Sequence, residues 1–292
     1  DRVRAFLENT KTHGYGPDPG LEEVREATAN FLRTKKNISS AAATRVMLTC
    51  GANQAFVNAL LTVTNPGDEV ILFGPYYFDH VFAVKLAGCV PVVVNLAFGN
   101  GCFRIDFERL GKALSAQTRV VVMVSPGNPS GRVADQAEIQ TLSDFCLQHG
   151  LWLFSDETYD LLTFEPDAHL SPAAIAPGER TVVLGSFSKT FALAAWRIGY
   201  LYGPTEAFSQ ETIKAQDALV VCAPLPSQMA ALGALKQVDS YVPQAVVELT
   251  RRRDALLSTL QNCRTLEAIA PQGATSVLAR ITTPIFENAF AY

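Results

Sequence analysis

The chain has 292 residues, of which 48% are hydrophobic and 18% are charged, so it is long enough to bury one large core and part of a second. Its formal charge of −4 arises from acids and bases mixed along the sequence, which excludes a basic stripe for nucleic acid and a polybasic membrane anchor. Because the six cysteines are widely spaced and no apolar run approaches the roughly 20 residues of a membrane span, we expect a cytoplasmic protein with reduced cysteines.

From Val46 onward, short runs rich in β-branched residues alternate with longer amphipathic segments. This alternation is typical of βα units that feed a mostly parallel sheet. The predicted strands cover residues 46–49, 69–73, 90–95, 120–125, 151–156, 181–186 and 198–202. The predicted helices between them cover residues 53–64, 77–87, 107–115 and 135–149. The sequence therefore predicts an α/β fold with a seven-stranded sheet flanked by helices, whose ligands bind beyond the carboxyl ends of the strands.

The pattern changes to helix after Pro226, and residues 241–260 form a long segment with charges on one face. We interpret this segment as a connecting helix that leads out of the sheet domain. Residues 266–281 then contain short strand-like pieces. The sequence thus predicts a large domain at residues 1–235, followed at residues 236–292 by the connecting helix and the start of an incomplete α+β small domain.

The first two predicted strands each end in a segment that could contact a ligand. In CGANQAF, Gly51 joins a strand to a helix, so the backbone N–H groups of Ala52 and Asn53 face a possible anion site at the helix N-terminus. In GPYYFDH, the aromatic ring of Tyr77 could cover the face of a flat ligand. An ordinary connecting turn and core packing explain these two segments equally well when each is taken alone.

The next two strand ends supply an amide, a carboxylate and a phenol. Asn128 lies at the tip of the turn SPGNPSG, from which its amide can point at a ligand. Asp156 follows an apolar strand in LWLFSDETYD, and a buried carboxylate requires a positive partner such as a protonated pyridine nitrogen. Tyr159 could donate a hydrogen bond to an oxygen of the same ring. The alternatives are a simple turn, an aspartate that caps a helix and a tyrosine that packs in the core.

The most informative stretch is SFSKTFALAAWRIG, residues 186–199. The hydroxyls of Ser186 and Ser188 and the guanidinium of Arg197 could bind a phosphate, with Lys189 beside it. A lysine whose amine is desolvated or close to other cations has a lowered pKa and can form a Schiff base. Taken alone, the lysine could equally be a solvated surface residue and the arginine the partner of an aspartate.

Together these segments resemble the class I and II aminotransferases, enzymes of fold type I that use pyridoxal 5′-phosphate (PLP) and include aspartate aminotransferase. The resemblance covers residues 15–281, and residues 186–199 fit the lysine signature of the family throughout. It implies the large domain of a fold type I enzyme with PLP as its cofactor. It also implies the following cofactor-binding residues: Ala52, Asn53, Tyr77, Asn128, Asp156, Tyr159, Ser186, Ser188, Lys189 and Arg197, together with Tyr15.

The same resemblance implies a role for each catalytic side chain. Lys189 carries the cofactor as a Schiff base, Asp156 faces the pyridine nitrogen, and Tyr159 bonds the ring oxygen together with Asn128. Tyr77 stacks on the ring. The implied reaction is transfer of an amino group between an L-amino acid and a 2-oxo acid. Alternatives are another fold type I reaction, such as a C–S β-lyase or a cyclopropane-carboxylate synthase, and a non-catalytic PLP-binding segment.

Tyr15 resembles the tyrosine of this family that reaches the phosphate of the neighbouring subunit, which implies a homodimer with shared active sites. The N-terminal arm of the family and the arginine that clamps the substrate carboxylate have no clear counterpart, since Arg280 comes too early for that role. We therefore expect the isolated chain to be a fragment that turns over amino acids inefficiently. The histidines fit no ligand spacing, and the sequence assigns them no chemistry: His13, His80, His149 and His169.

Overall fold

The structure is a computed structural model that describes residues 2–9, 14–166 and 168–282. Within these ranges the strands are β1 (Val46–Thr49), β2 (Glu69–Gly74), β3 (Val90–Asn95), β4 (Ala97–Gly99), β5 (Cys102–Arg104), β6 (Thr118–Val124), β7 (Trp152–Asp156), β8 (Thr181–Ser186), β9 (Gly199–Tyr202), β10 (Leu266–Ile269) and β11 (Leu278–Ile281). The helices are α1 (Arg2–Glu8), α2 (Glu22–Lys35), α3 (Ala52–Val63), α4 (Phe78–Leu86), α5 (Phe107–Lys112), α6 (Gln136–Gln148), α7 (Pro172–Ile175), α8 (Glu206–Val220), α9 (Leu225–Leu235) and α10 (Val238–Gln261).

Seven strands form the central sheet in the order β1-β9-β8-β7-β6-β2-β3. All neighbouring strands from β8 to β3 in this order are parallel, whereas β9 is antiparallel to both β1 and β8. The predicted seven-stranded, mostly parallel sheet is thus confirmed, with strand ends within two residues of the predicted ones. The carboxyl ends of β1, β6, β7 and β8 and the amino end of β9 share one edge of the sheet.

Helices cover both faces of the sheet because the side chains of each strand alternate between the two faces. In β6, Val120 and Val122 pack with residues of α3 and α4 on one face, while Val121 and Met123 pack with residues of α6 on the other. A strand that is buried on both faces needs an apolar residue at nearly every position. The valine-rich run that predicted this strand is therefore also the centre of the core.

One hairpin was not among the predicted elements. Strands β4 and β5 pair antiparallel through the two-residue turn Asn100–Gly101, in which both residues have positive φ values of 51° and 76°. A two-residue turn with positive φ at both positions suits the right-handed twist of the flanking strands, and Asn-Gly favours it. The Asn-Gly pair was the sequence signal for this hairpin.

Beyond the sheet, α10 runs from Val238 to Gln261 and leads to a two-stranded antiparallel sheet of β10 and β11. The helix predicted at residues 241–260 is present and begins three residues earlier. Residues of the strand-like tail also return to the large sheet domain, where Gly273 pairs with Thr163. Across the described segments, no helix combines the length and apolar character needed to cross a bilayer.

Candidate active site

The strand register places the predicted polar residues at one edge of the sheet. At this edge Asp156 at the end of β7 lies level with Val124 of β6, and Ser186 at the end of β8 lies level with Gly199 of β9. Gly199 also pairs with Thr49, the last residue of β1. Because neighbouring strands lie about 5 Å apart, the carboxyl ends of β1, β6, β7 and β8 and the amino end of β9 meet in one small region.

An open cleft with a volume of about 140 Å³ lies at this edge. It is lined by all of the predicted cofactor-binding residues except Tyr15, namely Ala52, Asn53, Tyr77, Asn128, Asp156, Tyr159, Ser186, Ser188, Lys189 and Arg197. Val124, Thr158 and Ala194 also line it and were not predicted from the sequence.

The N-terminus of α3 lines one part of the cleft and is a candidate anion site. The first N–H groups of an α-helix have no partner within the helix, and here they belong to Ala52 and Asn53. Gly51 precedes them with a φ of 84°, and a Cβ at this position would meet the guanidinium of Arg197 at 2.4 Å. A Cβ at Gly199 would lie 2.9 Å from the amide nitrogen of Ala52. The turn therefore needs glycine at both positions for the guanidinium and the amides to converge.

Arg197 supplies the positive charge of this anion site. Its guanidinium donates to the carbonyl oxygens of Ala194 at 3.0 Å and Cys50 at 3.2 Å, which fixes its orientation and leaves further N–H groups for a ligand. Its backbone is left-handed, with a φ of 49°, and Ala192 in the same loop has a φ of 55°. Left-handed residues other than glycine are strained and cluster at ligand sites.

The serine hydroxyls and the lysine complete this side of the cleft. Ser186 Oγ accepts a hydrogen bond from the backbone N–H of Ser188 at 3.0 Å, which leaves its own proton free to donate to a ligand. Both serines are largely buried, whereas Lys189 is exposed toward the cleft that it lines. Among the described residues that line the cleft, Lys189 is the only lysine.

Asp156 is buried at the floor of the site and has a partner that the sequence did not reveal. His80 Nε2 lies 3.0 Å from Asp156 Oδ2, and the backbone N–H of Thr158 donates to Oδ1 at 3.0 Å. The His80 ring stacks on Phe56 with ring centroids 4.3 Å apart. Burial alone would raise the pKa of Asp156, but the contacts with His80 and Thr158 lower it. The sequence assigned His80 no chemistry, and the structure places it in contact with the predicted catalytic carboxylate.

Tyr77 follows β2 and stands at the mouth of the cleft. Its hydroxyl donates to Asp79 Oδ2 at 2.5 Å, and the same oxygen accepts from the side-chain amide of Asn53 at 3.0 Å. Burial and the hydrogen bond to Asp79 raise the pKa of Tyr77 to about 12. The phenol is thus neutral at physiological pH, and its ring is anchored beside the anion site.

Asn128 and Tyr159 also line the cleft. Asn128 lies in the turn after β6, and the peptide bond that follows it is cis. Tyr159 is 7% exposed and packs in a small cluster with Leu162 and Ala274. Burial raises the pKa of Tyr159, while a side-chain hydrogen bond with Thr275 acts in the opposite direction. The tail of the chain therefore contacts a residue of the cleft.

The remaining candidate residues lie elsewhere. Tyr15 is 88% exposed and borders a surface groove with Phe6 and Leu225 rather than the cleft. Arg280 pairs with Glu267 across the β10–β11 hairpin and is exposed. His149 packs on Phe145, with ring centroids 4.6 Å apart. His13 lies outside the described residues.

The fold and the site together define a class of protein. An open α/β sheet delivers an anion-binding helix N-terminus, an arginine, a lysine and a buried aspartate to the carboxyl ends of its strands, which is the usual place for a ligand in such sheets. This arrangement suits a ligand that carries both a phosphate and a group that reacts with an amine.

The sequence and the structure of the chain are both similar to those of known aminotransferases. The family described as "Aminotransferase class I and II" matches residues 2–289. The chain is 35% identical to a probable aspartate/prephenate aminotransferase of Thermus aquaticus, over 98% of the chain and 73% of the relative. It is 32% identical to the aromatic aminotransferase ISS1 of Arabidopsis thaliana, over 89% of the chain and 66% of the relative. A mutant of Thermus thermophilus aspartate aminotransferase has a similar structure, with a TM-score of 0.91 and 34% identity over 98% of the chain and 74% of that structure.

The chain therefore belongs to the aminotransferase class I and II family. The family and the fold type I architecture that the sequence predicted are both confirmed. The chain spans between 66% and 74% of the lengths of these three proteins.

Proposed function

We propose that this chain binds PLP through Lys189 and that the protein transfers amino groups between an L-amino acid and a 2-oxo acid. The observation that carries the proposal is the convergence on one cleft of a lone lysine, an anion site and a buried aspartate with a lowered pKa. Family membership supports the reaction class. The names of the relatives, which include aspartate, prephenate and aromatic amino acids, support amino acid and oxo acid substrates.

The residues present fit the cofactor. PLP carries a phosphate and a pyridine ring, and its aldehyde reacts with amines. The amides of Ala52 and Asn53 and the guanidinium of Arg197 would hold the phosphate, because Gly51 leaves room for the guanidinium against the turn. The carboxylate of Asp156 would accept a hydrogen bond from a protonated ring nitrogen.

When bound, PLP supplies an electron sink for the negative charge that develops at the substrate Cα. Lys189 Nζ would hold the cofactor covalently. Once freed by an incoming amino acid, it would act as a general base toward the substrate Cα proton and as a general acid when that proton is returned. A positioned group of this kind contributes roughly 10² to 10⁴ in rate.

Other residues of the cleft would orient the cofactor and keep Asp156 ionised. His80 is placed to donate from Nε2 to Asp156 and thereby to keep this carboxylate ionised next to the ring nitrogen. The hydroxyl of Tyr159 and the amide of Asn128 would donate to the ring oxygen, and the ring of Tyr77 would cover one face of the cofactor.

Borohydride reduction tests the covalent attachment. The protein loaded with PLP is reduced, digested and mapped by mass spectrometry. We expect one pyridoxyl label, at Lys189, because this residue is the only lysine among the described residues that line the cleft. A label on a different lysine would refute the assignment.

Product analysis separates this reaction from other fold type I reactions. Transamination yields an oxo acid from the donor and a new amino acid from the acceptor. A β-lyase instead releases a thiol from a cysteine conjugate, and a cyclopropane-forming synthase closes a ring. Formation of an amino acid from the added 2-oxo acid supports the proposal, whereas release of a thiol or a ring product without it favours the alternatives.

We also propose a homodimer in which Tyr15 acts on the phosphate of the partner subunit. Tyr15 is 88% exposed and lies in a groove with the apolar side chains of Phe6 and Leu225, which suits an interface. Mixing Tyr15→Phe protein with Lys189→Ala protein tests it. Heterodimers are expected to contain one intact site and to recover wild-type PLP affinity. A mixture that shows only the two parental affinities would argue against a shared site.

We also propose a division into domains and a cellular location. We place the large domain at residues 1–235 and assign residues 236–292 to the connecting helix and the start of the small domain, which is supported by the path of α10 toward the separate β10–β11 sheet. A cytoplasmic location is supported by the six cysteines, all of which are free thiols in the described residues.

A further inference from the structure

A second cluster of charged side chains adjoins the cleft through the turn after β7. Its centre is Lys36, which follows α2 and has a side chain with no exposed surface. The Lys36 ammonium lies 2.8 Å from Glu157 Oε2, 2.8 Å from Asp160 Oδ2 and 3.0 Å from the hydroxyl of Tyr200. An ammonium group has three N–H donors, so these three partners satisfy it completely.

The carboxylates around Lys36 are also well satisfied. Glu157 Oε1 accepts hydrogen bonds from the hydroxyls of Ser155 at 2.8 Å and Ser171 at 2.7 Å, and Oε2 lies 3.2 Å from His169 Nε2. Burial alone would raise the pKa of Glu157, but the Lys36 ammonium and His169 lower it to about 2. Burial alone would lower the pKa of Lys36, but Asp160 and Glu157 raise it well above its usual value. Lys36 and Glu157 are therefore both charged at neutral pH.

The two carboxylates lie in a turn that also carries three cleft residues, Asp156, Thr158 and Tyr159. Asp156 precedes Glu157, and Tyr159 precedes Asp160, so residues of the cleft and of the cluster are neighbours along this turn. The backbone N–H of Asp160 donates to the carbonyl of Glu157 at 3.1 Å and closes the turn. The Lys36 ammonium bridges the side chains at both ends of this turn and fixes its shape.

The same cluster reaches the loop that carries the lysine of the site. Asp160 Oδ1 accepts a hydrogen bond from the hydroxyl of Thr190 at 3.2 Å. Thr190 is 1% exposed and directly follows Lys189. A continuous chain of contacts thus runs from Lys36 through Asp160 to the residue beside Lys189.

We propose that Lys36 is a positioning residue of the active site, whose buried ammonium holds both the turn of Asp156 and Tyr159 and the loop of Lys189. The role in PLP binding rests on the proposed function. Within the described ranges, Lys36 does not line the cleft, so it acts only through the residues that it contacts. Removing the ammonium leaves two buried carboxylates without their shared cation, which loosens both segments.

The first test measures amide hydrogen exchange in the chain without cofactor. In Lys36→Met, a neutral side chain of similar length, peptides that cover residues 156–162 and 187–193 are expected to exchange at least about tenfold faster. Peptides from β2 and β3 keep their wild-type rates. Lys112→Met is the matched control, because Lys112 is also paired with a carboxylate, Glu108, but is 73% exposed. This control leaves both windows unchanged.

The second test measures the affinity for PLP by fluorescence titration. Lys36→Met is expected to bind PLP about tenfold more weakly, while Lys112→Met binds it as the wild type does. If Lys36→Met does not fold, Asp160→Ala replaces it, since this variant keeps the pair of Lys36 and Glu157. Asp160→Ala is expected to accelerate exchange in residues 187–193.

The exchange and binding results decide whether Lys36 positions the active site. Wild-type exchange in both windows of Lys36→Met, or an equal increase in β2 and β3, overturns the positioning role. Wild-type exchange of residues 187–193 in Asp160→Ala overturns the link to Lys189. If the unmodified protein does not bind PLP, the proposed function fails, while the exchange measurements still decide the role of Lys36.

Discussion

Replacing Lys189 with alanine is expected to lower the rate of amino transfer by roughly 10²- to 10⁴-fold or more and to abolish covalent attachment of PLP. Among the described residues, no second lysine lines the cleft, so none could take over the proton transfer from Lys189. The measurement is oxo-acid formation from an amino acid and 2-oxoglutarate, with borohydride labelling as a readout that does not depend on turnover.

Lys214→Ala is the matched control for this variant. Lys214 is 72% exposed on α8 and pairs with Glu211, so its loss removes a lysine and a surface ion pair without touching the cleft. We expect this control to keep the wild-type rate and the wild-type label. If Lys189→Ala retained more than about a tenth of the wild-type rate, another group would have to perform the proton transfer.

Replacing Glu157 with glutamine is expected to lower the free energy of unfolding at pH 7 by about 3 kcal/mol. The pKa of Glu157 in the folded protein is about 2, whereas its ordinary value is 4.5. A group whose pKa is depressed by folding stabilises the folded state above its ordinary pKa. This stabilisation is lost as the pH falls from about 4.5 toward about 2. The free energies of unfolding of the wild type and of Glu157→Gln should therefore become equal near pH 2.

Urea unfolding as a function of pH measures this difference. Glu248→Gln is a sharp control, because the pKa of Glu248 is also lowered to about 2, by hydrogen bonds with Arg251 and Arg252, although Glu248 lies on the surface of α10. Solvent screens such exposed pairs, so this control should leave the unfolding curve unchanged. Equal effects of the two substitutions, or a Glu157→Gln protein as stable as wild type at pH 7, would contradict the role assigned to burial.

Most of the residues that line the cleft could be predicted from short segments of sequence. The turn at Gly51, the aspartate that ends β7 and the stretch that contains Lys189 each place a functional group next to a strand end. Parallel strands bring such ends to one edge of a sheet, so residues far apart in the chain meet without any knowledge of detailed packing. This is why ten predicted residues line one cleft.

The sequence by itself determined the fold class, the seven strands of the central sheet and most residues of the cleft, because these depend on local periodicity and on short motifs. The tertiary structure alone decided the partners of the buried charges. His80 and Asp156 are 76 residues apart, and Lys36 and Tyr200 are 164 apart. Such contacts depend on the order of the strands, the packing of α2 and α4 against the sheet and the direction of individual side chains. A buried charge must find its partner in three dimensions, and neither spacing nor composition records where that partner lies.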